Sequence, residues 1–230
     1  VALLGQFQKE QKDIILLTAD FIHAFFQMPV RFLEGPESLL LDSKRIPAKA
    51  RRHHPTTQDP QILTRYILDE VLKPLFPEDA FCLIAFTTED LWPGPGWNFV
   101  FGEASLDDRV GIWSMYRNGD PAKSSEDFQL CLKRTVKTGT HEIAHLFGIH
   151  HCIFFECAMN GSNHRRESDL RPVWLCPVCL RKLAWGSTFD PQEWFRHLAE
   201  LSDQLGWQEE RAFFLESLHH WLATNDANTP

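Results

Sequence analysis

The sequence predicts an α/β fold of mixed strand and helix, and three observations carry that expectation. The chain opens on an apolar run, a helical pattern and a further apolar run; its middle holds the unbroken apolar stretch Phe81-Cys82-Leu83-Ile84-Ala85-Phe86; and from Ser124 it keeps helical spacing through a histidine-rich segment. Strands alternating with helices are the pattern of a sheet covered by helices.

Taken in order, Val1 to Phe7 reads as a first strand and Glu10 to Gln27 as a helix, with Ile14, Leu17, Phe21 and Phe25 at helical spacing. Pro29-Val30-Arg31-Phe32-Leu33 reads as a second strand ended by Gly35-Pro36, which makes the opening a βαβ unit. From Glu37 to Asp59 the chain is polar and broken by proline. It carries the one basic run, Lys44, Arg45, Lys49, Arg51, Arg52, His53 and His54, which reads as a mobile surface loop between Pro47 and Pro55. Adjacent histidines in such a loop are poorly preorganised as metal ligands. Helical spacing resumes from Gln61 to Leu72 through Ile62, Tyr66 and Ile67, and Pro74 stops it.

The stretch 81–86 is continuous rather than alternating, as a central strand buried on both faces requires. Leu91 to Gly96 is turn-rich, Trp97 to Gly102 reads as an edge strand and Val110 to Arg117 as another; an edge strand beside a cleft can hold an extended peptide by backbone pairing. Ser124 to Gly148 forms the long helix, with Ser125 as its cap and Phe128, Leu132, Val136, Ile143 and Phe147 facing the sheet. Helix continues after Cys179 to Trp185, Gly186-Ser187 breaks it, and Pro191 to Leu205 and Gln208 to Leu222 make a helical hairpin around Gly206. The expected organisation is one domain over residues 1–186 and a helical extension, 187–230, packed on it.

A chain of 230 residues with 43% hydrophobic content can bury a core without disulfides, and no stretch has the apolar length needed to cross a bilayer. A soluble protein with no membrane partner is expected. The net charge of −8, with no sustained Lys/Arg stripe, argues against nucleic acid as a partner. The chain begins at Val1 with no charged-then-apolar leader, so it reads as a trimmed fragment whose targeting is not legible.

The chemistry concentrates in His141-Glu142-Ile143-Ala144-His145-Leu146-Phe147-Gly148-Ile149-His150-His151-Cys152. Two histidines four apart share one helical face, so His141 and His145 can converge on one ion. Glu142 stands where it can exchange a proton with a water at that ion, as a general base and acid. Gly148 lets the chain leave the helix through a left-handed turn and bring His151 back as a third ligand, which leaves one position open, the mark of a catalytic zinc. His-Glu-x-x-His alone arises by chance in on the order of a few per cent of such chains; the extension to Gly148 and His151 lowers that by roughly two to three decades. The metzincin spacing selects His151 over His150 for the third position.

Cys152, Cys157, Cys176 and Cys179 form a second constellation, whose closing Cys-Pro-Val-Cys sets two thiolates at bite distance; four thiolates suit a closed structural zinc. The alternative is disulfide pairing, of which a chain this long has little need. Zinc then implies a reducing, intracellular compartment, cytoplasmic or nuclear. Met159, eight residues beyond His151, falls where metzincins carry a Met-containing turn that supports the catalytic ion from below; read by itself it is core packing. Asn160-Gly161-Ser162 matches a glycosylation sequon formally and reads as a turn, while Cys82 and Cys131 read as buried small hydrophobes.

The run His141 to Cys152, followed by Cys157-Ala158-Met159 and by Cys176-Pro177-Val178-Cys179, resembles the archaemetzincins, closely over about residues 135 to 183. Asn98-Phe99-Val100-Phe101-Gly102 is similar to that family's strand ahead of the active site. The resemblance implies a zincin-like, twisted mixed sheet flanked by helices and a zinc metallopeptidase acting on peptides or proteins, with two zinc ions per chain. One ion would be catalytic, on His141, His145 and His151 with Glu142 as base, and one structural, on the four cysteines. Two rival readings are a zinc-stabilised interaction module with little peptidase activity, and a metal-dependent hydrolase of non-peptide amides; a retained Glu142 argues against the first. Tyr116 has no spacing that ties it to the zinc, and neither the oxyanion partner nor the oligomeric state is legible.

Overall fold

The computed structural model describes residues 1–33, 46–185 and 189–226. By its contacts the chain divides into two compact units, residues 1–18 with 30–148, and residues 19–29 with 149–230. Residues 149–185 therefore group with the terminal helices.

The first unit is built on a sheet in the order β1 (Ala2–Leu4), β4 (Leu83–Thr87), β7 (Val110–Ser114), β6 (Gly102–Ser105), with β1, β4 and β7 parallel and β6 antiparallel at the edge. As its unbroken apolar sequence requires, β4 is interior and buried along its whole length. Side chains alternate across it: Leu83 and Ala85, with Val110 and Ile112 of β7, join a core with Ile67, Leu68 and Leu72, while Phe86 meets Trp113 on the opposite face, ring centroids 6.0 Å apart. A second, smaller sheet runs β2 (Arg51–His53), β3 (Pro60–Leu63), β5 (Asp90–Trp92).

Several expectations give way here. Pro29 to Leu33 is not a strand: β1 takes β4 as its parallel neighbour, and the segment meets the start of the chain through Leu33 N–H to Val1 O, 2.8 Å, and the Val1 ammonium to Arg31 O, 2.6 Å. The opening is thus no βαβ unit, because a crossover after the helix α1 (Lys9–Phe26) reaches the sheet only at residue 83. The basic run is not a free loop over its described part. Arg51 to His53 pairs as β2, where Arg52 donates to Gln61 Oε1 and to the carbonyls of Trp97 and Asn98, each at 2.8 Å, and its guanidinium lies 4.1 Å over the Trp92 ring. Lys44, Arg45, Gly35-Pro36 and Gly186-Ser187 lie outside the described residues.

Gln61 to Leu63 is strand, and helix begins only at α2 (Thr64–Tyr66), continuing as a π-helical turn over Ile67–Leu72 and a 3₁₀ turn over Lys73–Leu75. Within the stretch 97–102 only Val100 bridges back to Leu91, and the edge strand starts at Gly102. Arg117, which donates to both carboxylate oxygens of buried Asp90 at 2.7 Å and stacks on Phe99, anchors that stretch by side chains in place of a ladder.

The long helix is α3 (Ser125–Leu146). Ser124, not Ser125, caps it, its Oγ accepting from Asp127 N–H at 3.0 Å, with Glu126 and Asp127 in the first turn. The stretch Thr135 to Thr140 has poor intrinsic helix propensity and is held by burial: Trp113 Nε1 donates to Thr138 O at 3.1 Å, and Asn118 Nδ2 donates to Thr135 Oγ1 at 3.0 Å. Leu132, Val136 and Ile143 are buried as expected, and α3 packs on β6 and β7.

The second unit holds α4 (Arg165–Leu170), α5 (Pro177–Trp185), α6 (Pro191–Gln204) and α7 (Gln208–Asp226). The predicted hairpin is present, turned at Gly206 with φ +73°. Trp194 is its centre: the ring meets Phe25 and Phe214 edge-on, both at 5.4 Å, and Nε1 donates to Phe25 O at 2.8 Å. Among the described residues no helix is long and apolar enough to cross a membrane.

Candidate functional site

Helix geometry places the first donors. His141 and His145 project from one face of α3 with ring planes at 84° and their Nε2 atoms 3.2 Å apart. Donors on a tetrahedral zinc with Zn–N of ~2.0–2.1 Å stand about 3.3 Å from one another, so this separation suits a shared ion. Phe81 stacks on Phe147 at 4.5 Å and fixes the end of the helix, after which Gly148 takes φ +76°, the left-handed turn its position calls for. One ring nitrogen from each of His141, His145 and His151 lies within 4.8 Å of the others. Glu142 is half-buried beside His141, and His150 is exposed.

His151 has its own support. Its ring lies against Gly161, and partial burial, then the Arg171 guanidinium and His150, hold it below the usual histidine range. The ring is therefore neutral at pH 7 and keeps a lone pair to offer an ion. The turn after it is closed by Cys152 N–H to Met159 O, 2.9 Å, with Met159 fully buried.

The cysteine donors also converge, the four sulfurs of Cys152, Cys157, Cys176 and Cys179 lying within 4.8 Å of one another. Cys152 and Cys176 stand 3.8 Å apart, far beyond a disulfide bond and equal to the edge of about 3.8 Å expected for four thiolates at ~2.3 Å from one zinc. All the cysteines are free. Burial pushes the Cys157 thiol up to about 11 and raises Cys179 as well, with Cys157 beside it adding to the effect. A buried thiol cluster of this kind ionises when a cation compensates it, and the donor set fits zinc. Backbone amides of Cys176 and Met159 point at Cys157 Sγ from 3.2 and 3.4 Å, and Cys176 and Cys179 sit at the N-terminal end of α5, where the helix favours negative charge.

Four residues of this region were not singled out by spacing. Asn160, the supposed sequon residue, spends its side chain on internal bonds, donating to Cys152 O and Phe155 O and accepting from Cys157 N–H, each at 2.8 Å. Buried Arg171 donates to Asn160 O at 3.2 Å. Trp174 accepts at its carbonyl from Ala158 N–H, 2.7 Å, and stacks on Phe213 of α7 at 4.1 Å and 14°. Gly161 completes the group. In the sequence Asn160 and Gly161 show as a turn, and Arg171 and Trp174 show only nearness to the cysteines. Between Cys152 and Cys157 this frame displays Ile153, Phe154 and Phe155 to solvent, the first two 82% exposed.

The remaining candidates fall elsewhere. His54 Nδ1 accepts from Thr56 and Thr57 N–H and His53 Nδ1 bonds with Gln58 O, so both serve a turn. Burial, and then Asp59 beside it, push the Tyr116 hydroxyl above its usual range. Cys131 is buried in α3, and Cys82 precedes β4 with burial pushing its thiol up to about 11.

Comparison with known proteins gives the family and the fold. The model of peptidase family M54 matches residues 68–185, about half of the chain. The chain is 36% identical over 247 residues to archaemetzincin-2 of Mus musculus, covering 96% of this chain and 67% of that protein. It is 42% identical over 206 residues to archaemetzincin-2 of Macaca fascicularis, covering 78% of this chain and 55% of that protein. The crystal structure of archaemetzincin from Methanopyrus kandleri superposes with a TM-score of 0.60 at 26% identity, over 80% of this chain and 92% of that one. That from Archaeoglobus fulgidus, solved with malonate, gives 0.58 at 26%, over 79% and 97%. The mixed α/β fold is thus that of archaemetzincins of known structure, and by the family match and the Mus musculus relative, which aligns with 96% of this chain, the chain belongs to the archaemetzincins, peptidase family M54.

Proposed function

We propose that the chain hydrolyses peptide bonds with a zinc ion held by His141, His145 and His151, with Glu142 as general base and acid. The observation that carries this is the convergence of three imidazole nitrogens within 4.8 Å, with Glu142 directly following His141 in α3. When bound, zinc supplies Lewis acidity, polarising a carbonyl and lowering the pKa of water. Glu142 takes a proton from the attacking water on a carboxylate oxygen and passes it to the leaving amine nitrogen. The four cysteines hold a second, structural zinc, which places the protein in a reducing compartment inside the cell. Residues 1–186 form the peptidase domain in this reading, and α6 and α7 are an extension whose Phe213 backs the cysteine segment through Trp174.

Glu142→Ala removes the base and leaves the donors. Turnover of a panel of peptides with free and blocked N-termini is expected to fall by about two to four decades with zinc content unchanged. Near-normal turnover in that variant contradicts the assignment. The exposed triplet Ile153, Phe154 and Phe155 favours a second reading, a zinc-stabilised interaction module. A wild-type protein that turns over no peptide in the panel supports the module and contradicts the peptidase.

A further inference from the structure

The ring of His151 rests on a residue with no side chain. We infer that Gly161 is a positioning residue for the histidine-bound zinc: its bare Cα sets where the His151 imidazole lies and so where the third ligand atom stands. The inference rests on the zinc reading of the three histidines. A Cβ at Gly161 would stand 3.2 Å from His151 Nδ1, 3.4 Å from Cε1 and 3.6 Å from Cγ, so the three nearest atoms it would meet all belong to that ring. Gly161 is not among the glycines with positive φ, so the backbone itself does not demand glycine. What demands it is the space the imidazole occupies.

The wall cannot recede to make room. Asn160, next to Gly161, is tied through its side chain to Cys152 O, Phe155 O and Cys157 N–H, each at 2.8 Å, through its own N–H to Cys157 O at 2.9 Å, and through its carbonyl to Arg171 Nη1 at 3.2 Å. His151 is itself joined to Cys152, whose N–H is held by Met159 O. An added methyl is therefore relieved by tilting the imidazole, by about a few tenths of an ångström, more than the roughly 0.2 Å that metal–ligand distances tolerate. Because the wall is fastened to Cys152 and Cys157, the cysteine segment sets the third ligand of the histidine site as well as its own ion.

The test is zinc affinity, read separately for the two sites by chelator competition and by cobalt substitution, in wild type, Gly161→Ala and Gly161→Val. The alanine variant is expected to keep the thiolate-bound metal and its thermal midpoint, to lose about 10- to 100-fold in affinity at the other site, and to show shifted d–d bands there, with valine worse than alanine. Affinity within about twofold of wild type in both variants would overturn the inference. So would loss of both metals together, since that marks Gly161 as a folding residue without a specific hold on His151. If wild type itself binds no histidine-ligated metal, the zinc reading fails first, and that outcome is visible without any variant.

Discussion

The two donor sets are built in opposite ways. His141 and His145 stand on a helix whose cap, buried stripe and packing on β6 and β7 exist without any ion. The cysteines stand on a segment, 152–179, with only a six-residue helix and the start of α5 as regular structure, and with Ile153, Phe154, Phe155 and Leu170 turned to solvent. A helix fixes a ligand pair by its period; an irregular segment must be fixed by bonds. Here those bonds are the ones made by Asn160, Arg171 and Trp174, together with the four sulfurs. The histidine pair is thus held by the fold alone, whereas the zinc reading makes the cysteine segment the part that an ion would organise.

This contrast breaks first, and hardest, at the cysteines. Structural zinc in small domains is worth roughly 10 kcal/mol or more at neutral pH, so Cys176→Ser is expected to lose the thiolate-bound metal, unfold 152–179 and lower peptidase activity without touching a histidine. Metal analysis together with limited proteolysis checks this; a variant that keeps its second metal and resists cleavage contradicts it. His145→Ala is expected to do less to the fold and as much to function. It empties the histidine site and abolishes activity while the protein stays folded with one zinc per chain, because an open site on a packed helix contributes to chemistry more than to stability. Loss of both metals with unfolding would erase the distinction between the two sites.

The smallest effect sharpens the contrast from the distal side. Phe213 is half-buried and stacks on Trp174, so Phe213→Ala is expected to cost about 1–3 kcal/mol in denaturant midpoint. Most of the loss should appear as faster exchange of the Ala158 amide, which donates to Trp174 O. Unchanged exchange there would separate the terminal helices from the cysteine segment.

What was legible in the sequence follows the same division. Period and continuity found α3, the interior strand β4 and the terminal hairpin, because each buries an apolar face that its spacing displays. They failed where polar side chains replace apolar burial. Arg51 to His53 looks like a loop because its pairing is supported by Arg52 on Gln61 and Trp92, and 97–101 looks like a strand because its aromatic residues serve Arg117 stacking rather than a ladder. Pro29 to Leu33 has strand composition, yet it meets the start of the chain through single bonds at Val1 in place of a ladder. Among the site residues, histidines and cysteines carry their chemistry in their identity and were readable. Asn160, Gly161 and Arg171 act through contacts that no spacing encodes.

Hydrogen exchange on zinc-loaded and metal-stripped protein tests the account most directly. Amides of α3 from Cys131 to Leu146 are expected to keep their protection when both ions are removed, since Trp113, Asn118 and the sheet still hold the helix. Amides from Cys152 to Cys179 are expected to lose theirs. Equal loss in both regions, or a cysteine segment that stays protected without metal, would contradict the claim that one site is made by the fold and the other by its ion.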